Sequence, residues 1–70
     1  MAQNDLVPVD GTVVEVLRDK FVVQTDKGQK IVAYVSGKMR ANKIRIVLGD
    51  TVTVEVSPYD LSNGRIILRR

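Results

Sequence analysis

The sequence of 70 residues contains neither cysteine nor histidine. Metal sites built from thiolate or imidazole ligands are therefore excluded, and so are Cys–His and Ser–His catalytic pairs. No disulfide can staple the fold, so the chain must stabilise itself by burying apolar side chains. A chain without cysteine also fits a reducing compartment.

Long apolar runs are absent as well. No stretch approaches the roughly 20 residues of a membrane span, and the first residues lack the basic and apolar regions of a secretory signal. We therefore expect a cytoplasmic, monomeric protein with a single domain, residues 1–70, and no membrane partner. Residues 1–6 show no packing pattern, and we expect them to form a mobile arm.

Aromatic residues are scarce, with one Phe and two Tyr in the chain. Proteins that grip single-stranded nucleic acids stack successive bases on surface aromatics. Phe21 shares a predicted strand face with Val23 and is expected in the core, which leaves Tyr34 and Tyr59 as candidates for stacking. The scarcity argues against readout along a single strand and favours a folded RNA surface.

The chain is rich in Val and Ile in period-two patterns, which are typical of β-strands. Five strands are predicted, at about 7–17, 21–25, 30–35, 51–56 and 65–69, with Gly11 permitting a bend or bulge in the first. Residues 57–64 are rich in turn formers and are predicted to be a loop. In the last two strands Thr53 is expected to face water, while the core is expected to contain Val52, Val54, Val56, Ile66 and Leu68.

The order of these strands predicts a closed barrel, because an open sheet of this size would leave two exposed edges. The interruption after the third strand is where a five-stranded oligonucleotide-binding (OB) barrel carries its helix. Ser36 is the expected N-cap, and the helix should not exceed about two turns because Ile44, Ile46 and Leu48 resume alternation. The predicted fold class is thus all-β, a closed five-stranded OB-fold barrel with one short helix between strands 3 and 4. A small SH3-like barrel is the alternative.

The net positive charge lies in residues 36–45, here called the basic segment. Residues 1–35 carry a balance of −1, the basic segment +4 and residues 46–70 zero. Such a cluster is typical of a protein that docks on a polyanion, although a solvated connector has the same composition. Arg40 and Arg45 favour the first interpretation, because the planar arginine fork suits phosphates and base edges. Arg65 and Arg69 are predicted to share an outward strand face, where they extend the basic surface or protect an edge.

The sequence offers no catalytic motif. Gly37-Lys38 follows a predicted strand, but no glycine-rich phosphate loop precedes it. Asp50, Glu55 and Asp60 have ordinary turn or surface explanations and form no recognisable acid–base pair. We therefore predict that the protein is not an enzyme and needs no cofactor.

Residues 36–40 (SGKMR), 44–46 (IRI) and 49–50 (GD) closely resemble the signature of the bacterial translation initiation factor 1 family. The similarity continues at residues 11–13, 51–55, 58–62 and 64–66, and so spans essentially the whole chain. Two departures stand out. Lys43 replaces a residue that is commonly aromatic or bulky, and the hairpin at residues 17–21 is about one residue short and lacks the usual proline.

The resemblance implies a factor that sits in the decoding (A) site of the small ribosomal subunit, against rRNA and a neighbouring ribosomal protein. Such a factor holds two decoding-site adenines flipped out, blocks premature tRNA entry and supports the other two initiation factors. By the same resemblance, Arg40 and Arg45 would line the adenine pockets and contact phosphates. The residues expected to bind rRNA are Lys38, Met39, Arg40, Lys43, Arg45, Tyr59, Arg65 and Arg69.

Two other functions stay open from the residues alone. One is a general RNA chaperone of the cold-shock type, which the few aromatics disfavour. The other is a protein-binding barrel whose basic segment is only a solvated face.

Overall fold

The computed structural model describes residues 6–70, which form five strands and one helix. The elements are β1 (Val7–Val16), β2 (Phe21–Thr25), β3 (Lys30–Val35), α1 (Gly37–Ala41), β4 (Thr51–Ser57) and β5 (Asp60–Arg69). No helix in this range is long and apolar enough to cross a membrane. Of the arm expected at residues 1–6, all but Leu6 lies outside the described residues.

The strands form a closed barrel in the order β1-β2-β3-β5-β4. β3 and β5 pair in parallel, whereas the other neighbours, including β1 and β4, pair antiparallel. A closed five-stranded barrel with one short helix after β3 confirms the predicted OB fold.

Aliphatic side chains from all five strands fill the barrel. Full burial of each Val or Ile stabilises the fold by about 1.5–3 kcal/mol. The predicted alternation of Val52, Val54 and Val56 is confirmed, since all three are buried. The buried apolar cluster comprises Val13, Val23, Ile31, Ala33, Met39, Ile46, Val52, Val54, Val56 and Ile66.

The predicted loop at residues 57–64 is wrong. β4 runs to Ser57 and β5 already begins at Asp60, so that only Pro58 and Tyr59 lie between the two strands. The residues at the start of β5 are exposed, and polar turn formers are therefore tolerated there. The Asp60 carboxylate also accepts hydrogen bonds from the Ser62 N–H and hydroxyl, which satisfies these polar groups within the strand.

A bulge in β5 reverses the predicted orientation of Leu68. Thr53 pairs with Leu68 and Val54 with Ile66, so β5 contains one extra residue at this point. The extra residue shifts the alternation by one, and Leu68 is exposed rather than in the core. Thr53, expected to face water, is buried, and its hydroxyl donates a hydrogen bond of 2.6 Å to the Asp10 carboxylate.

The irregularity in β1 lies at Val14 and not at Gly11. The pairing with β2 shifts between Val13 and Glu15. Gly11 serves a close approach instead, since a Cβ there would lie 2.6 Å from Cγ1 of Val23.

The alternation of Ile44, Ile46 and Leu48 does not form a strand. Ile46 is buried in the core, whereas Ile44 and Leu48 are exposed. The loop is anchored on β1 by two backbone hydrogen bonds, from the Gly49 N–H to the Val13 carbonyl and from the Val13 N–H to the Asp50 carbonyl. These two hydrogen bonds are isolated and do not continue into a strand ladder. The segment therefore packs Ile46 into the core without forming a sixth strand among residues 6–70.

The β1–β2 turn and α1 lie at the same end of the barrel. β2 and β3 are antiparallel, and Phe21 at the start of β2 pairs with Ala33 near the end of β3. The turn that precedes β2 therefore lies beside the segment that follows β3. This proximity brings Arg18 to the basic segment.

Candidate nucleic-acid interface

The start of α1 is fixed by the predicted cap. The Ser36 hydroxyl accepts a hydrogen bond of 3.2 Å from the Met39 N–H, which satisfies one free donor of the first helical turn. Ser36 itself is buried, and its N–H donates to the Ile66 carbonyl of β5. The helix is thereby attached to the barrel wall, and Gly37–Ala41 is as short as predicted.

The end of α1 is a tight reversal with Lys43 at its centre. The Lys43 N–H donates to the Arg40 carbonyl and the Ile44 N–H to the Met39 carbonyl, each at 3.1 Å. Lys43 has φ of 57°, in the left-handed region. This pair of hydrogen bonds around a left-handed residue is the Schellman motif that ends many helices. The reversal returns the chain to the barrel, so that Lys43 and Arg45 share a groove with Arg40.

This groove, here called the helix-end groove, has a volume of about 640 Å³. Phe21 and Val35 are half-buried and give it an apolar surface next to the charged side chains. One lining residue is acidic, Asp19 in the β1–β2 turn. The lining consists of Arg18, Asp19, Phe21, Val35, Arg40, Lys43, Ile44 and Arg45.

Sequence reasoning missed Arg18 and the groove surface of Phe21. Arg18 lies more than 20 positions before Arg40 in the sequence, and the charge count placed the two residues in different segments. The hairpin register of β2 and β3 could have found it, since it places the β1–β2 turn next to the end of β3. Phe21 packs against the core, as expected, but also lines the groove.

Among residues 6–70, no ion pair involves a cation of the basic segment. The pairs in this range are Arg65–Glu55 at 2.7 Å, Arg69–Asp50 at 3.1 Å and Arg70–Asp10 at 3.4 Å. None of them includes a residue of the basic segment. The electrostatic asymmetry predicted from the sequence is therefore present in three dimensions.

Arg65 and Arg69 do not share a strand face, and that prediction is wrong. Arg65 pairs across the sheet with Glu55, whereas Arg69 pairs with the buried Val52, because the bulge lies between the two arginines. Arg69 is held by Asp50, which also accepts a hydrogen bond from the Val47 N–H. The Arg69 side chain is thus bound to the loop that precedes β4.

Lys38 lies in a second groove, here called the helix-start groove, of about 330 Å³. Its lining consists of Ser36, Gly37, Lys38, Glu55, Arg65 and Ile67. Glu55 and Arg65 also line a third groove of about 270 Å³, here called the strand groove, together with Leu6, Tyr34, Asn63 and Gly64. The hydrogen bond to Glu55 raises the pKa of the Arg65 guanidinium.

The two remaining candidates have opposite environments. Met39 is only 3% exposed and belongs to the core, so its side chain does not lie on the surface with the other candidate residues. Methionine suits this position because its flexible side chain fills irregular gaps in a core. Tyr59 is 91% exposed at the tip between β4 and β5. Next to it, hydrogen bonds from Asn63 and Ser62 lower the pKa of the Asp60 carboxyl.

Comparison with known proteins gives a consistent result over the whole chain. Residues 3–70 match the model of the family described as translation initiation factor 1A / IF-1. A protein of Rhodopseudomonas palustris named translation initiation factor IF-1 is 51% identical over 70 residues, which cover 99% of this chain and 76% of that protein. A protein of Nitrobacter hamburgensis with the same name is 50% identical, with coverage of 99% and 75%.

Solved structures show the same barrel. The solution structure of a translation initiation factor IF-1 from the Wolbachia endosymbiont of Brugia malayi matches with a TM-score of 0.83 and 43% identity, over 99% of this chain and 82% of that one. The crystal structure of YjeQ from Thermotoga maritima matches with a TM-score of 0.75 and 25% identity, over 91% of this chain but 23% of that one. The barrel thus also occurs as a small part of a much longer chain.

Proposed function

The chain belongs to the translation initiation factor 1A / IF-1 family, and we propose that it binds the decoding (A) site of the small ribosomal subunit. In this proposal it holds two decoding-site adenines flipped out, blocks premature tRNA entry and supports the other two initiation factors in the cytoplasm. It contacts rRNA and a neighbouring ribosomal protein. It acts by occupancy and carries out no covalent chemistry.

The observation that supports this proposal best is the composition of the helix-end groove. Arg18, Arg40, Lys43 and Arg45 line the same groove as the half-buried Phe21 and Val35. Cations bind phosphates and provide salt-dependent affinity, whereas an apolar surface beside them suits the face of an unstacked base. A phosphate site alone would not need the apolar surface, and an apolar protein contact would not need four cations.

In this proposal the arginines make the specific contacts to the RNA, and the lysines add positive charge. The guanidinium of Arg40 or Arg45 can donate two parallel hydrogen bonds to a base edge or a phosphate. Lys38, in the helix-start groove, provides a point charge for the backbone of the same RNA. Tyr59, exposed at its hairpin tip, provides an aromatic face.

The test compares two double variants that lose the same charge. We expect Arg40→Ala with Arg45→Ala to weaken binding to small subunits by about 1–3 kcal/mol per arginine if each contacts a base directly. Lys27→Ala with Lys30→Ala is the control, because Lys27 lies in the β2–β3 turn and Lys30 at the start of β3, and neither lines the helix-end groove. Equilibrium binding at several salt concentrations and chemical footprinting of the rRNA give the two readouts.

The outcomes separate the site from the function. Protection of the decoding-site adenines that is lost in the arginine variant and kept in the lysine variant supports both. Unchanged binding of the arginine variant would show that the site is assigned wrongly. Wild-type protection at another rRNA region, or tighter binding to unstructured RNA than to subunits, would refute the function.

A further inference from the structure

The outer face of the barrel carries a tyrosine, an arginine and a glutamate in one row across three strands. Tyr34 of β3 pairs with Arg65 of β5, and Arg65 pairs with Glu55 of β4. Paired residues on neighbouring strands project to the same face, with strands about 4.8 Å apart. All three side chains line the strand groove.

The charged pair at one end of this row keeps spare hydrogen-bonding capacity. Nη2 of Arg65 donates to Oε1 of Glu55 at 2.7 Å, and the two side chains are 43% and 26% exposed. A guanidinium has five N–H donors, and a carboxylate has about four acceptor positions. One mutual hydrogen bond therefore leaves donors and acceptors side by side at the groove.

The acidic partner makes this groove a poor phosphate site. Among residues 6–70, Arg65 is the one cation that lines the strand groove, and Glu55 lies against it and would repel an approaching phosphate. A neutral base edge meets no such repulsion, because it offers donors to the carboxylate and acceptors to the guanidinium. The helix-end groove differs in this respect, with four cations and one acid.

The complementary edge is that of guanine. Its N1–H and N2–H₂ groups can donate to both oxygens of one carboxylate, while O6 on the same edge accepts from arginine. Adenine, cytosine and uracil each present a single donor group on this edge, so they can satisfy only part of the Glu55 carboxylate. Glu55 and Arg65 would therefore distinguish guanine from the other three bases by the number of hydrogen bonds that each base can form with them.

The other end of the groove provides a surface for the base plane. Tyr34 is 50% exposed and Leu6 is also exposed, so a ring face and an aliphatic side chain are available next to the charged pair. Aromatic side chains stack on unpaired RNA bases in most sequence-specific RNA sites. The volume of about 270 Å³ suits one base and not an oligonucleotide.

We propose that the strand groove binds one unpaired guanine of an RNA, stacked on Tyr34 and read by Glu55 and Arg65. The inference rests on the proposed RNA-binding function, and it assigns to this groove a base-reading role separate from the adenine pockets of the helix-end groove. Glu55 is then a specificity-determining residue, although it is an acid on an RNA-binding protein.

The test uses four labelled pentaribonucleotides, UUGUU, UUAUU, UUCUU and UUUUU, titrated with the full chain at constant salt. We expect UUGUU to bind about tenfold tighter than the other three, the size of one good bidentate base contact. Glu55→Gln should abolish this preference, because the amide has one acceptor oxygen and not two. Glu15→Gln is the matched control, an exposed β1 position outside the three grooves where the preference should persist.

A second measurement does not depend on any variant. In amide NMR spectra of the unaltered protein, GMP should shift the signals of Asn63, Gly64 and Arg65 more strongly than AMP does, because these residues line the groove. Equal affinity for the four pentamers, or equal shifts with the two nucleotides, would overturn the inference. So would a Glu55→Gln variant that binds all four pentamers more tightly by the same factor, since Arg65 would then be a phosphate contact that Glu55 neutralises.

These results are distinct from a failure of the proposed function. If subunits are bound through Arg40 and Arg45 but no guanine preference appears, only the inference on the strand groove falls. If neither subunits nor pentamers bind in a salt-dependent way, the proposed function falls, and with it the premise of the inference.

Discussion

At the scale of single residues, Lys43 combines a backbone role with a charge. Among residues 6–70 it is the one non-glycine residue with positive φ, and it closes α1 through the Schellman hydrogen bonds. Glycine is the usual residue at this position, because a Cβ makes the left-handed conformation unfavourable by about 1–2 kcal/mol. Lys43, which the sequence presents as a charge in place of a bulky residue, is therefore also the residue at which the chain reverses after α1.

Replacement of Lys43 tests these two roles separately. We expect Lys43→Gly to raise the free energy of unfolding by about 0.5–1 kcal/mol, because glycine adopts the left-handed conformation without strain. Lys43→Ala removes the same charge but keeps a Cβ, and it should give no such gain. The urea midpoints of the three proteins provide the measurement, and a lower midpoint for the glycine variant would contradict the strain argument. Both variants should weaken subunit binding to the same small extent if Lys43 contributes only charge.

At the scale of elements, the sequence pattern predicted which residues of a strand are buried where one face meets the core. It did not predict strand ends and bulges, which depend on pairing with a neighbouring strand. The inward valines of β4 were predicted correctly because one of its faces meets the core along the strand, although Thr53 between them is buried as well. β5 begins with exposed polar residues and contains a bulge. The period-two pattern of apolar residues therefore predicted neither the start of β5 nor the orientation of Leu68. Residues 44–48 alternate in sequence without pairing to another strand, and Ile46 alone of the three apolar residues Ile44, Ile46 and Leu48 is buried.

Two glycines with different surroundings test how tightly β4 and β5 approach each other. A Cβ on Gly64 would lie 2.9 Å from both the Glu55 carbonyl oxygen and Cγ1 of Val56. We expect Gly64→Ala to lower the free energy of unfolding by about 1–3 kcal/mol through overpacking. Gly37→Ala is the control, because a Cβ there meets nothing within 4 Å and alanine favours a helix by up to about 1 kcal/mol. Thermal unfolding of both variants decides, and an unchanged Tm for Gly64→Ala would show that the strands can separate to accept the methyl group.

At the scale of the whole molecule, the candidate site is assembled by the antiparallel pairing of β2 and β3, which brings the β1–β2 turn next to the segment after β3. The helix-end groove takes residues from the β1–β2 turn, the end of β3 and the basic segment. The charge count identified the basic segment, because its excess of cations lies within ten consecutive positions. It could not identify Arg18, because Asp19 offsets the charge locally and only the antiparallel β2–β3 pairing brings the turn to α1. Met39 was included among the predicted site residues because it lies between Lys38 and Arg40 in the sequence. Adjacency in sequence does not show that its side chain lies on the buried side of the helix.

Arg18 therefore provides a test of the fold-assembled groove rather than of the sequence motif. We expect Arg18→Ser to weaken binding to small subunits and to reduce the magnitude of the slope of log K against log salt by about 0.7–0.9, the value for one lost phosphate contact. Lys20→Ser is the matched control, because Lys20 lies in the same turn but does not line the groove. If both variants changed affinity and slope equally, the β1–β2 turn would contribute only to the general field of the protein. A change confined to Arg18 would show that a cation distant in sequence belongs to the same phosphate-binding surface as Arg40 and Arg45.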